Sequence, residues 1–296
     1  MSFGIFEELR DLGDEAVQAG RLEEAEALFE QALAWAYEHG EPWQIDLGIC
    51  NRAAARIWLG RGESELSRLR EILLRNANPH NCRLAAYNIA RHYELTKNFK
   101  KSLFYARIAL DRSEALGRCD WMASAQNTIG NVLLAESFVD EACQRYETAL
   151  DLMPQDHGVW RAGILDNLGY CRILQRRYHE GYQFLYESLR ILQRHGSERY
   201  LVPPLLDLSF AHIETGRYEG ARRHAESALR IADRTEQQDA IKNALYLLGE
   251  AANLSGDTEN ASEYFTKLQR DFFPDASYLP SFLMTVDIRK MINLHA

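Results

Sequence analysis

Residues that cross-link or break a chain are scarce here. Cysteine occurs five times in 296 residues, at Cys50, Cys82, Cys119, Cys143 and Cys171, an odd number, widely dispersed and without a C-x-x-C pair. That pattern excludes a disulfide framework or a thiolate metal site, and each thiol reads as a small buried apolar residue. Proline occurs seven times, and Pro42, Pro79, Pro154, Pro203 and Pro204 fall where they can open a helix or precede one. No apolar run approaches the roughly 18 residues of a membrane span. The start, MSFGIFEELRDLGDE, lacks the basic region, apolar stretch and small-residue cleavage site of a secretory signal; a cytoplasmic location is expected. Positive charge is outnumbered, 34 Lys and Arg against 43 Asp and Glu for a formal net charge of -9, which argues against general affinity for phosphate backbones. The nine histidines show no H-E-x-x-H spacing, no glycine-rich phosphate loop follows a strand, and no G-x-S-x-G elbow is present. The expectation is a protein that is not an enzyme, with no catalytic residue, metal or cofactor, and with neither nucleic acid nor membrane as partner.

What is present is repetition. From Ala125 to Pro154 the chain reads AQNTIGNVLLAESFVDEACQRYETALDLMP, with small residues (Gly130, Ala142, Ala149) where two helices would cross. Large ones (Ile129, Leu133, Tyr146, Leu150) lie between them at three- and four-residue steps, the helical period. The small site of Gly130 recurs as Gly13, Ala53, Ala90, Gly130, Gly169, Ser209 and Gly249, at separations of 40, 37, 40, 39, 40 and 40. A second small site follows each by twelve residues: Ala25, Glu65, Ser102, Ala142, Gly181, Ala221 and Ala261. Glycine in a helix interior costs about 1 kcal/mol relative to alanine, so its recurrence at a crossing implies close helix approach. Short polar turns such as AGRLEE, TKNFKK and TGRYEG separate the two helices of each unit, and Gly40, Gly117 and Gly196 in the linkers suit left-handed helix caps. One hairpin cannot bury its own apolar face, so it implies stacked neighbours.

These residues resemble the tetratricopeptide repeat (TPR), whose pattern runs large-x-x-Leu-Gly-x-x-Tyr, then Ala-x-x-x-Phe-x-x-Ala and a closing Pro. The usual unit has 34 residues, so a spacing near 40 lengthens each hairpin by about one and a half turns. Trp43, Trp121, Trp160 and Tyr200, nine or ten residues before the crossing, fit an added turn that needs cover. Long repeats of this kind resemble those of kinesin light chains, LGN/Pins adaptors and bacterial Rap-type receptors. The expected fold is all-α: a right-handed α-solenoid, or superhelix, of seven hairpins near residues 5–40, 42–77, 80–117, 120–154, 158–195, 199–235 and 237–270. Residues 1–270 form the solenoid and 271–296 a loop and capping helix. Arg52, Arg56 and Glu65 depart together from the pattern, so irregular packing is expected in the second hairpin. The amphipathic set Phe282, Leu283, Val286, Met291 and Ile292 is expected to form a helix that closes the last open face; the alternatives are dimerisation through it or its lying in the protein's own groove.

The resemblance implies that ligands lie on the concave wall made by the first helix of each hairpin. Two residues before the crossing site stand Asn51, Asn88, Asn167 and Asp207, with Asn127 and Asn131 nearby in the fourth repeat. A primary amide offers donor and acceptor together, matching the N–H and C=O of an extended peptide, and related long-repeat proteins use such a ladder. The alternative is that these amides bond a neighbouring helix or face water. Tyr87, Tyr170, Phe210 and Tyr246 are candidates for side-chain pockets, or for core. Inward acidic candidates Glu7, Asp11, Asp14, Glu94, Asp166, Asp207, Glu214 and Glu250 outnumber Arg10 and Arg91, so a basic or mixed-charge segment is the expected partner. Arg21, Arg61, Arg177 and Arg217 at the turns read as helix-end cations. The function expected is a protein- or peptide-binding scaffold or adaptor; the alternative is a regulatory receptor for a small signalling peptide, with a ligand-dependent change of superhelix shape.

Overall fold

The structure, a computed structural model, describes residues 3–155, 157–195, 198–291 and 293–295. Among these the chain is all helical, with fifteen α-helices, three short 3-10 turns and no strand. It divides into two compact units, Met1–Trp160 and Arg161–Ala296. Unit 1 holds four hairpins: α1 (Phe3–Gln18) with α2 (Leu22–His39), α3 (Pro42–Trp58) with α4 (Leu66–Arg75), α5 (Pro79–Leu95) with α6 (Phe99–Ala115), and α7 (Cys119–Ala135) with α8 (Val139–Leu152). Unit 2 takes most of α9 (Gly158–Leu174), followed by α10 (Tyr178–His195), α11 (Val202–Glu214), α12 (Tyr218–Arg234), α13 (Gln238–Ser255), α14 (Thr258–Phe272) and α15 (Leu279–Thr285). Within each unit helices pack chiefly on their neighbours in sequence, the arrangement of an α-solenoid of hairpins. Taken in chain order, α1 to α14 make seven helix pairs.

Size matching holds each hairpin together. The small site of the first helix faces the residue sixteen positions later in the second. A Cβ added to Gly130 would lie 2.6 Å from the Tyr146 ring, and one added to Gly249 would lie 2.4 Å from the Phe265 ring. Both rings are fully buried, so only glycine leaves room for them. Where the small site is Ser209 a different bond forms across the joint: its Oγ donates to the Ala221 carbonyl at 2.9 Å. Ser102 reaches back to the Ala90 carbonyl at the same distance.

The left-handed residues lie elsewhere than the linker glycines suggest. Every turn inside a hairpin has one at the same place: Gly20, Gly60, Lys97, Ser137, Arg176, Gly216 and Gly256, all with positive φ. Of the linker candidates, Gly117 is left-handed (φ 64), and Gly196 lies outside the described residues. Gly40 is instead extended (φ -92, ψ 165), with its N–H donated to the Ala36 carbonyl. A Cβ there would sit 2.7 Å from that carbonyl oxygen, so the glycine serves close approach and not a left-handed turn. Pro42 and Pro79 open α3 and α5, and Asn78 caps α5 by accepting from the Asn81 N–H.

The second hairpin is irregular, as its charges predict. Its second helix begins as a 3-10 turn, Gly62–Glu65, and α4 has 10 residues against 14 for α8 and 18 for α2. Glu65 fills the crossing site at 1% exposure and is gripped by Arg52 at 2.9 Å and Arg56 at 2.6 Å. Arg52 continues to Glu30 and Arg56 to Glu26. Two guanidinia around one buried carboxylate satisfy the charge that a small residue would have avoided.

The C-terminal segment departs from the expected amphipathic helix. α15 stops after seven residues, at Thr285. Asp287 then accepts the Arg289 N–H, and Asn293 the His295 N–H, at 3.0 Å each; such side-chain turns compete with helix. Of the apolar set, Leu283 is buried, whereas Phe282, Val286 and Met291 are exposed and Ile292 lies outside the described residues. Capping therefore falls to the short α15, which packs on α14.

Candidate functional site

In unit 1 the first helices of the four hairpins, α1, α3, α5 and α7, line one groove of about 530 Å³. Asn51, Tyr87, Asn88 and Arg91 are among its lining residues. Asn88, however, is 2% exposed and its Nδ2 donates to the Cys50 carbonyl at 2.7 Å, so its amide ties α5 to α3. Asn131 is likewise engaged: its Nδ2 donates to Glu94 at 2.8 Å, and its Oδ1 accepts from the Tyr146 hydroxyl at 3.0 Å. Asn127 is half-buried on α7. Asn51 is half-buried on the groove wall.

Charge in this groove reverses the acidic expectation. Arg10, Arg83, Arg91 and Arg118 line it, against the carboxylates of Asp14 and Asp120. Arg91 pairs with Glu94 at 2.5 Å while stacking on Trp58, and Arg118 pairs with Asp120 at 2.7 Å. Arg83 is different. It is 5% exposed and lies 4.9 Å from the centroids of both Tyr87 and Trp121. Its hydrogen bonds among the described residues are long ones, to Ser113 Oγ at 3.3 Å and the Trp121 carbonyl at 3.4 Å. No carboxylate pairs with it among the described residues, and burial lowers its pKa to about 10. His80 stacks on Trp121 at 4.7 Å; burial, with Arg83, Arg118 and Arg10 nearby, holds its pKa below the ordinary imidazole value. Asp14, on the open side of the wall, is pushed up to about 6 by desolvation, with Arg10 opposing. Sequence reasoning counted inward sites close to the crossing, and Arg83, seven residues before it, and Arg118, in the linker, escaped that register.

In unit 2 the first helices α9, α11 and α13 carry the acidic face that the sequence predicts. Asp166, Asp207 and Glu250 are buried there and Glu214 is half-buried. Burial raises the carboxyl of Asp166, which Asp207 raises further; Asp207 is also raised by burial, with His295 pulling it down. Glu250 is pushed up to about 7 by burial, against the pull of Arg289. Tyr170 and Phe210 are buried against one another, ring centroids 5.6 Å apart, and Asn167, three residues before Tyr170 on α9, is half-buried. Tyr246 is 6% exposed and its hydroxyl has no hydrogen-bond partner among the described residues. The C-terminal segment lies on this face. The His295 ring is 4.3 Å from that of Tyr170 and bonds Asp207 at 2.8 Å, while Arg289 reaches Glu214 and Glu250 at 3.5 Å each. Asn243 and Asn253, two amides absent from the expected ladder, donate to the carbonyls of Leu294 at 3.2 Å and Met284 at 3.3 Å.

The turn arginines are engaged locally, Arg21 with Glu24, Arg61 with Glu26, Arg177 with Glu180 and Arg217 over Tyr182. Among the described residues no group of three His, Cys, Asp or Glu side chains could hold a metal ion, and no helix is long and apolar enough to cross a membrane.

Residues 11–39 and 243–270 match the family model described as tetratricopeptide repeat. No curated protein matches the chain in sequence. Similar solved structures include a Rap protein complexed with Competence and Sporulation Factor, with a TM-score of 0.60 and 15% identity over 98% of this chain and 99% of that one. The type IV pilus biogenesis factor PilW gives 0.59 and 20% over 81% and 99%, and BtubC (BKLC) from P. vanneervenii gives 0.57 and 20% over 72% and 90%. At such identities the likeness is one of fold.

Proposed function

We propose that this tetratricopeptide-repeat solenoid is a non-enzymatic scaffold or adaptor that holds an extended partner segment along the groove of unit 1. The observation that carries the reading is Arg83, a buried guanidinium that no carboxylate salt-bridges among the described residues, 4.9 Å from two aromatic ring centroids on the wall of an open groove. A planar fork of donors in that setting suits a carboxylate, and Tyr87, Trp121 and Trp58 offer apolar faces beside it. Asn51 supplies an amide for the backbone of the bound segment. The partner this wall favours is acidic and aromatic, whereas the acidic face of unit 2 favours a basic one, so a mixed-charge protein partner suits the chain as a whole. The test is binding to an array of synthetic peptides. Peptides rich in Asp or Glu with an aromatic neighbour are expected to bind the wild-type chain, and Arg83→Gln is expected to weaken them by about 10- to 100-fold, the worth of a charged hydrogen bond, with helicity unchanged. No binding of the acidic peptides, or no loss of their binding in Arg83→Gln, would reject it.

A receptor for a short signalling peptide is the second reading. What favours it is that the chain's own Arg289, Leu294 and His295 already contact the first helices of unit 2. The fold is also that of a Rap protein solved with Competence and Sporulation Factor. A receptor requires a change of shape on binding, which small-angle scattering with and without a bound peptide would register; a passive scaffold predicts superimposable curves.

A further inference from the structure

Beyond α15 the backbone extends at Val286 (φ -117, ψ 120), and the chain after it touches α9, α11 and α13. Each touch is of the kind by which a repeat surface holds a foreign peptide. Main-chain groups are held by side chains: Asn243 donates to the Leu294 carbonyl, and the Leu294 N–H donates to the Tyr170 hydroxyl at 3.1 Å. The side chains of the tail meet carboxyls: Arg289 lies 3.5 Å from both Glu214 and Glu250, and the His295 ring bonds Asp207 while stacking on Tyr170. The seat is nevertheless incomplete. Asp166 Oδ1 is buried without a hydrogen-bond partner among the described residues, next in charge to Asp207, and a single imidazole occupies the place where two carboxyls lie close enough to perturb one another. Of the tail's apolar side chains among the described residues, Val286 and Met291 are exposed and Ile288 and Leu294 are half-buried.

We propose that residues 286–291 and 293–295 are a resident ligand of the acidic face of unit 2. They hold the place of a basic partner segment that presents one guanidinium to Glu214 and Glu250 and a second, larger cation to Asp207 and Asp166. Partner and tail then exclude one another, and the tail sets the affinity at which the face opens. A partner with arginine where His295 stands supplies five donors in place of the neutral imidazole's one and reaches the carboxyl that the tail leaves unanswered. Every residue involved belongs to unit 2, so this proposal and the reading of the unit 1 groove stand or fall separately.

The experiment uses a fluorescent peptide with the sequence of residues 286–296 in which His295 is replaced by Arg. Its binding is followed by anisotropy to the wild-type chain, to Arg289→Ala/His295→Ala, and to Asp207→Asn/Glu250→Gln. Because an occupied site weakens apparent affinity in proportion to the fraction closed, the first double variant is expected to bind about tenfold or more tighter than wild type, and the second to lose binding. In parallel, hydrogen exchange of the wild-type tail amides is expected to quicken when the peptide is in excess. Equal affinity for wild type and Arg289→Ala/His295→Ala, or tail exchange that saturating peptide leaves unchanged, would reduce the tail to a structural cap and overturn the proposal. The exchange arm decides the matter if either variant fails to fold.

Discussion

Alanine substitution at two glycines of unit 2 is expected to move stability in opposite directions. Gly249, in α13, and Gly163, in α9, are both helix-interior residues, so helix propensity alone predicts a gain of about 1 kcal/mol at each. A Cβ at Gly163 would meet nothing within 4 Å, and that gain should appear in full. A Cβ at Gly249 would lie 2.4, 2.6 and 2.9 Å from three atoms of the Phe265 ring, which is fully buried. Overpacking of this kind costs about 1 to 3 kcal/mol. With three ring atoms inside contact distance the upper part of that range applies, leaving a net loss of about 1 to 2 kcal/mol after the propensity gain. The two variants should therefore differ by about 2 to 3 kcal/mol, read as urea midpoints by far-ultraviolet circular dichroism with the denaturant slope held in common. Adding Phe265→Leu to Gly249→Ala should recover part of the loss, a coupling that independent sites would not show. If both glycines respond with the same sign, the size-matching account of the hairpin joint fails.

Glu65→Ala restores the small residue found at the same site of other hairpins, yet it is expected to destabilise by about 3 kcal/mol, because Arg52 and Arg56 lose their shared buried carboxylate; a gain in thermal midpoint would show the network to be dispensable. The pH dependence of unit 2 should carry the mark of Glu250, whose carboxyl rises from 4.5 to about 7 on folding. A raised acid contributes stability that is complete below its unfolded value and lost as pH climbs through its folded one. Wild type should thus weaken relative to Glu250→Gln between about pH 4.5 and 7, by at most about 3 kcal/mol; parallel stability curves for the two proteins would contradict the assignment.

Much of the fold was legible because a solenoid repeats its requirements. Gly13, Gly130, Gly169 and Gly249 each answer a large side chain sixteen residues later, and that local relation survives in the sequence as a period. The charged trio of Arg52, Arg56 and Glu65 announced its own irregularity, since three departures within one hairpin must compensate one another. The site was less legible. Asn88 and Asn131 lie in the inward register, but whether an amide faces a ligand or a neighbouring helix depends on how close that helix comes, and Cys50 and Glu94 came close enough to take them. Arg83 lies outside the register and gains its character from Tyr87 and Trp121, the second of which arrives from another hairpin.

By itself the sequence determined the repeated helical-hairpin fold, because helical period, small crossing residues and turn chemistry act over a few tens of residues. Only the tertiary structure decided the charge of the groove in unit 1 and the seat of the C-terminal segment in unit 2. Both depend on side chains from three or more hairpins meeting in space: Asp207 and His295 are 88 residues apart in the chain and 2.8 Å apart in the fold. No spacing rule reaches across that distance, since burial and charge pairing act on what is near in three dimensions.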